Sequence, residues 1–234
     1  PLPPATRPFP GKTPSRAPPV TPARAPVAMA SPSAAGAGGA ASSVDETPRA
    51  PTVDRRIAEA ARQLRTGELS AETEAYVESV ARLTASAVDD QIPELLAAVS
   101  AHDFLTALVE MLRDLEHDQH PRIAYIGLSI IVNMADIGGQ EMAKRAGAFD
   151  MLVSMLDSAN ASLHFYAAAG VQNMLGDVEC VETILSGPGV HALARLMQSS
   201  DPEVRRIATG ALVNVQAASE DHAARLRALI DTTN

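Results

Sequence analysis

The segment from residue 120 to residue 216 contains one helical pattern three times, and this repetition limits the fold more than any other feature. Each copy carries an asparagine at the same place, and these asparagines are 40 and 41 residues apart: Asn133, Asn173 and Asn214. A period of about 40 residues is typical of helical repeats. Such units stack into solenoids because no single unit can bury its own apolar face.

Alignment of the copies on these asparagines brings apolar residues into shared columns. Apolar side chains recur ten, six, three and two residues before each asparagine and one residue after it, which is the spacing of one buried stripe on an α-helix. The column six residues before the asparagine is small in every copy, so a neighbouring helix can approach closely there. The column ten residues before the asparagine holds Ile123, Leu163 and Val204, and the column six residues before it holds Gly127, Ala167 and Ala208.

Two further helices are predicted before each of these long ones. A second helix is indicated by the aligned segments 104–112, 149–158 and 190–199, and a four-residue insertion lengthens the loop that follows the first of them. A shorter first helix ends at a glycine break. The predicted short helices are Gln140–Arg145, Val178–Leu185 and, at the C-terminal end, Glu220–Ile230.

This three-helix unit resembles the armadillo repeat. The resemblance covers residues 92–230 and is carried by the turn-helix start DPEVRRIATGALVNV at 201–215, the AGAF and GPGV turns, and the asparagine near the end of each third helix. It implies an all-α, right-handed superhelix of about three armadillo-type repeats. It also implies a non-enzymatic scaffold that holds a partner protein or an extended peptide along a groove of third helices. Two alternatives are a chaperone regulator of the Hsp70 nucleotide-exchange kind and an architectural subunit of an organelle or cytoskeletal complex.

The chain divides into three predicted parts. Residues 92–234 form the armadillo-repeat domain, and helices within residues 54–91 are expected to cap its N-terminal end, because a repeat stack otherwise exposes an apolar face. Residues 1–53 form an arm. The arm contains 13 of the 17 prolines up to residue 51 and has no carboxylate before Asp45, so we expect it to be disordered or extended with polyproline II character.

The composition of the arm is compatible with several roles. It suits a plain linker, an organelle transit peptide, or a ligand for an SH3-type groove through the segment from Arg16 to Pro22. Its Thr-Pro and Ser-Pro pairs also suit phosphorylation. The single cysteine, Cys180, favours an intracellular, cytoplasmic setting, and the acid-free, Ala/Ser/Pro/Arg-containing arm makes a plastid or mitochondrion the alternative.

Charge separates the arm from the remainder of the chain. Residues 1–53 carry a net charge of +3 and residues 54–234 a net charge of −12. An acidic domain is a poor match for nucleic acid, whose phosphates need clustered Lys and Arg. We therefore expect a protein or peptide partner with a basic or neutral surface, no nucleic acid, and no small-molecule substrate. No run of 18 apolar residues is present, so no membrane insertion is expected.

The predicted groove is a ladder on the exposed face of the third helices. Positions 0, −4, −8 and −11 from each asparagine share one face of a helix, distinct from the apolar stripe. An asparagine amide both donates and accepts, as an extended peptide backbone requires. The alternative is that each asparagine bonds nearby carbonyls and sets the bend between repeats. The protein-binding residues predicted in this way are Asn133, Ser129 and Tyr125 in the first copy, Asn173, Ala169 and Phe165 in the second, and Asn214, Gly210 and Arg206 in the third.

The −4 column separates this chain from one class of armadillo protein. Carriers of nuclear-localisation peptides have a tryptophan at this position, which stacks on lysine side chains, whereas here it holds Ser129, Ala169 and Gly210. The predicted groove is therefore shallow and suited to a small-residue, acidic or amphipathic segment.

The sequence predicts no catalytic residues, cofactors or metal. His117 and His120 form an H-x-x-H pair beside Glu116 and Asp118, but a solvated polar loop explains them without a metal. Cys180 lies among acidic residues, which raise the pKa of a thiol, and has no histidine in register to activate it.

Overall fold

A computed structural model describes residues 51–115, 117 and 119–231, and nearly all of these residues are helical. The arm up to residue 50, together with Glu116 and Asp118 of the inserted loop, lies outside the described residues, as do the predictions made for them. The helices are α1 Val53–Arg65, α2 Ala71–Ser86, α3 Ile92–Ala101, α4 Phe104–Asp114, α5 Pro121–Asp136, α6 Gln140–Arg145, α7 Ala148–Met155, α8 His164–Met174, α9 Val178–Ser186, α10 Gly189–Leu196, α11 Pro202–Ala218 and α12 Glu220–Asp231.

Three successive helix triplets confirm the predicted repeats. They are α3 to α5, α6 to α8, and α9 to α11, and we call α5, α8 and α11 the third helices. The third helices lie side by side, with α5 against α8 and α8 against α11, and α2 packs against the free side of α5. The all-α, armadillo-like architecture predicted from the sequence is therefore confirmed.

Capping residues explain where the helices begin. Asp177 accepts hydrogen bonds from the backbone N–H groups of Glu179 (2.8 Å) and Cys180 (3.2 Å) at the start of α9. Asp201 caps α11 in the same way, and a proline occupies the first turn of α11, where its missing N–H has no helical partner to lose. α1 is capped by Thr52, whose hydroxyl accepts from the backbone N–H of Arg55.

Within each of the first two repeats, the second and third helices approach closely at a glycine. A Cβ added to Gly127 of α5 would lie 2.9 Å from a Cδ of Leu112, and one added to Gly170 of α8 would lie 2.6 Å from a Cδ of Leu152. Both leucines are fully buried. Gly127 belongs to the predicted small column and Gly170 lies three residues farther along its helix, and both mark contacts with the second helix of the same repeat.

The first helices of the second and third repeats and the C-terminal helix are linked by ion pairs. Lys144 of α6 donates to Asp177 (2.7 Å) and to Glu179 (3.0 Å) at the start of α9, and its hydrogen bonds hold the pKa of Asp177 below the usual value. Farther along α9, Glu182 accepts from His222 (2.8 Å) and Arg225 (2.9 Å) of α12, which together lower its pKa. These contacts attach α12 to the end of the stack.

The turn before α7 needs a glycine. Gly147 has φ of +74°, in the left-handed region, and its carbonyl accepts from Arg113 of α4 at 2.8 Å. We expect Gly147→Ala to lower the free energy of unfolding by about 1–2 kcal/mol, because a Cβ is strained at this φ and would lie 2.6 Å from the Arg113 guanidinium. The matched control is Gly176→Ala, at an open position outside this φ region, where urea unfolding should show a change within about 0.5 kcal/mol. Equal effects of the two substitutions would contradict this account of the turn.

Across the described ranges, no single helix is long and apolar enough to cross a membrane. Only α3 and α4 together, with a bend of 66° between them, reach that length and hydropathy.

Candidate protein-binding groove

The three predicted asparagines occupy equivalent places and form a hydrogen-bonded ladder between neighbouring helices. Asn173 Nδ2 donates to the carbonyl of Val132 (3.2 Å), and Asn214 Nδ2 donates to the carbonyl of Gln172 (3.2 Å). Each acceptor is the residue immediately before the preceding asparagine. Asn133 makes the corresponding contact with α2, where Nδ2 lies 3.4 Å from the Thr84 hydroxyl.

This ladder uses one donor of each amide within the protein. For Asn173 and Asn214 the bond runs to the neighbouring third helix and so links successive repeats, which agrees with the structural role considered for these residues. Asn173 and Asn214 nevertheless remain half-buried at the surface, whereas Asn133 is only 4% exposed. Binding of a peptide by the asparagines therefore stays a prediction.

The prediction that the whole ladder face is exposed was wrong at three positions. Ser129, Asn133 and Ala169 are 2%, 4% and 5% exposed. The reason is the close side-by-side packing of the helices, with α2 closing over one side of α5 and α8 over the other. The Ser129 hydroxyl donates to its own helix at the Ile126 carbonyl (2.8 Å), so it is not directed at a ligand.

Gly210, the third member of the same column, is half-buried beneath a neighbouring amide. A Cβ added there would lie 2.4 Å from Nε2 of Gln172, so this amide of α8 lies directly over the α11 backbone. The −4 column is thus closed by neighbouring helices along its whole length.

An aromatic cluster lies between α5 and α8. The rings of Tyr125 and Tyr166 are 6.1 Å apart between centroids, and Phe165 meets Tyr166 edge to face at 5.3 Å. Tyr166 is 8% exposed and its burial raises the pKa of its phenol, while Tyr125 and Phe165 remain half-buried. We call these three residues the aromatic cluster. It contains three of the seven aromatic residues in the chain.

Sequence reasoning identified Tyr125 and Phe165 but missed Tyr166. Tyr166 lies one column away from the predicted face, seven residues before Asn173, where the other copies carry Ile126 and Ile207. A tyrosine in an otherwise aliphatic column was the available signal. Its ring contacts the rings of both predicted residues.

The charged side chains around this face are paired within the protein. Arg122 of α5 contacts Glu74 and Glu78 of α2, each at 2.9 Å, and Glu78 also accepts from Arg82 at 2.8 Å. On α11, the predicted groove residue Arg206 is exposed and pairs with Glu203 at 2.8 Å. The surface between these pairs therefore carries half-buried amide and aromatic groups.

The remaining chemically interesting residues have structural partners. His117 Nε2 lies 3.0 Å from the Leu112 carbonyl, and among the described residues no three His, Cys, Asp or Glu side chains are grouped to hold a metal ion. Cys180 is 2% exposed, and burial followed by the charge of Asp177 raises the pKa of its thiol to about 12. The thiol is therefore protonated at neutral pH.

Comparison with solved structures gives designed armadillo repeat proteins as similar folds. One such protein is 19% identical, with a TM-score of 0.61 over 73% of this chain and 68% of its own. A second, solved in complex with the peptide (KR)4, has the same identity, coverage and TM-score. A third, computationally designed for modular peptide recognition, is 21% identical over the same shares, with a TM-score of 0.62.

These likenesses show an armadillo-like repeat fold and, at such low identity, nothing further. No protein-family model matches the sequence, and comparison with curated proteins gives no match.

Proposed function

We propose that this protein is a non-enzymatic scaffold that binds an extended segment of a partner protein along the third helices, with the aromatic cluster as its anchor. The observation that carries the proposal is the pair of half-buried rings, Tyr125 and Phe165, which both pack against the buried ring of Tyr166. Aromatic rings fixed at a surface offer large contact area at little cost in conformational entropy.

The neighbouring amides support an extended ligand. Asn173, Gln172 and Asn214 are half-buried beside one another on α8 and α11, and such side chains can donate to and accept from a peptide backbone. The asparagines also hold the repeats in register, so their spacing follows the superhelix. A ligand that lies along them is expected to be extended, with small side chains where the −4 column is closed.

Charge indicates the partner's chemistry. The domain from residue 54 onward carries a net charge of −12, while the arginines beside the groove are neutralised by their own glutamates. A basic or neutral segment is therefore favoured over an acidic one. One designed armadillo protein of similar fold was solved with the basic peptide (KR)4, which supports this choice of ligand class.

The experiment is selection of peptides on the full chain from a random library, followed by affinity measurement by fluorescence anisotropy. Tyr125→Ala combined with Phe165→Ala should weaken binding of the selected peptides by about tenfold or more, because both anchor rings are lost. Asn173→Ala should weaken binding less, since its amide donor already serves the neighbouring helix.

The matched control is Val178→Ala, which removes an exposed side chain from α9, away from the aromatic cluster. It should leave affinity unchanged, and circular dichroism should show the same helix content for all variants. Peptides that bind the double variant as tightly as the parent protein would refute the groove proposal. No contact among the described residues favours the chaperone-regulator or architectural alternatives, and we propose neither.

A further inference from the structure

We propose that the chain's own arm occupies this groove, with the segment from Arg16 to Pro22 seated on the aromatic cluster. The inference rests on the proposed function, because it requires the groove to be a binding surface. Under this proposal the arm is a built-in ligand that competes with partner segments.

The chemistry of the groove matches the arm better than it matches most protein segments. Half-buried aromatic rings, such as Tyr125 and Phe165, are the usual docking surface for proline-rich segments, whose polyproline II conformation is formed before binding. Beside the rings, α8 and α11 present the half-buried amides of Gln172, Asn173 and Asn214 over the closed −4 column, and this surface suits a segment of Pro, Ala, Val and Thr. Residues 16–22 have the sequence RAPPVTP.

Charge also favours binding of the arm to the domain. Residues 1–44 contain four basic residues and no acidic residue, whereas the domain from residue 54 onward has a net charge of −12. Tethering places these opposite charges in one molecule. The α2 glutamates Glu74 and Glu78 already pair with Arg122 and Arg82, so the attraction comes from the whole acidic domain, and salt should weaken it.

The connecting chain is long enough. α1 begins at Val53, so 30 residue steps separate Pro22 from its N-cap, Thr52. In a polyproline II conformation these would span about 90 Å, at roughly 3.1 Å per residue. Packed helices are about 8–10 Å apart, so the aromatic cluster between α5 and α8 is about 12–15 Å across the stack from α2, against which α1 packs. A tether of this length gives the arm a high effective concentration at the groove.

The test is photo-crosslinking in the full chain, with benzoylphenylalanine in place of Phe165 and peptide mapping by mass spectrometry. We expect crosslinks within one chain to residues 13–26, at a yield several-fold lower in 0.5 M salt. The matched control places the same probe at Ser154, an exposed residue of α7, where crosslinks to the arm should be at least fivefold fewer. A second probe at Tyr125 provides an independent measurement if the first variant loses helix content.

The arm variant carries Arg16→Ala and alanine at Pro18, Pro19 and Pro22. It should lower the crosslink yield at Phe165 about fivefold, and library-selected peptides should bind it more tightly than they bind the parent chain. Any of three results would overturn the inference. These are the absence of arm crosslinks at both groove probes, a crosslink yield at Ser154 equal to that at Phe165, and an arm variant whose crosslink yield is unchanged. Mixed light and heavy isotope-labelled chains that crosslink to each other would also overturn it, in favour of a second copy.

Failure of this inference and failure of the proposed function are distinguishable. If selected peptides bind the groove and lose affinity with Tyr125→Ala and Phe165→Ala, the proposed function stands whether or not the arm crosslinks. If they do not, the proposed function fails on its own test.

Discussion

Replacing Leu152 with alanine is expected to lower the free energy of unfolding by about 2–5 kcal/mol, the usual range for a fully buried leucine. Leu152 is completely buried in α7, and its side chain lies against the backbone of α8 at Gly170. The loss combines apolar transfer with the cavity left between the second and third helices. The urea midpoint of the full chain measures it, with Val178→Ala as the exposed aliphatic control.

A double-mutant cycle tests whether this contact is the cause. Gly170→Ala alone combines a gain in helix propensity of about 1 kcal/mol with a clash, because the new Cβ would lie 2.6 Å from Leu152 Cδ1. In the Leu152→Ala background the clash disappears, so the same substitution should become stabilising. Additive effects of the two substitutions would contradict direct packing between α7 and α8 at this site.

Replacing Asn173 with aspartate is expected to lower the free energy of unfolding by about 2–3 kcal/mol, more than replacement with alanine. The Nδ2 donor that bonds the Val132 carbonyl would become a carboxylate oxygen, and two acceptors would face each other at a half-buried position. Alanine removes the bond but introduces no charge. Asn173→Ala should therefore cost only about 0.5–1.5 kcal/mol.

The pH dependence of Asn173→Asp distinguishes a donor requirement from loss of shape. Facing a carbonyl raises the folded-state pKa of the new carboxyl above its unfolded value of about 3.9. The stability deficit relative to the parent chain should then be full at neutral pH and shrink as pH falls through the folded pKa, because a protonated carboxyl can donate. A deficit independent of pH between 7 and 4 would contradict the ladder as the source.

Much of the fold was predictable because helical repeats depend on local patterns. The apolar columns and the three asparagines in register predicted the third helices, and the short helix Gln140–Arg145 has the predicted bounds. The cap at Thr52 was not predicted, because several polar residues near a helix start can accept the same hydrogen bonds.

The candidate site was less predictable, because its exposure depends on neighbours. Tyr125 and Phe165 are partly accessible as predicted, but Ser129 and Ala169 are buried by adjoining third helices. Tyr166 contributes to the aromatic cluster although its column belongs to the buried side. Helical periodicity assigns a residue to a face of its own helix, and it carries no information on how closely the next helix approaches.

By itself, the sequence determined the helices, their order and the repeat that places Asn133, Asn173 and Asn214 in equivalent positions, since spacing along one helix controls which residues share a face. The tertiary structure decided what those residues contact. It directs the amides of Asn173 and Asn214 to carbonyls of the preceding helix and leaves two rings of the aromatic cluster partly open. The physical reason is that burial and hydrogen bonding between repeats depend on the distance between helix axes, which the packing of all side chains sets together.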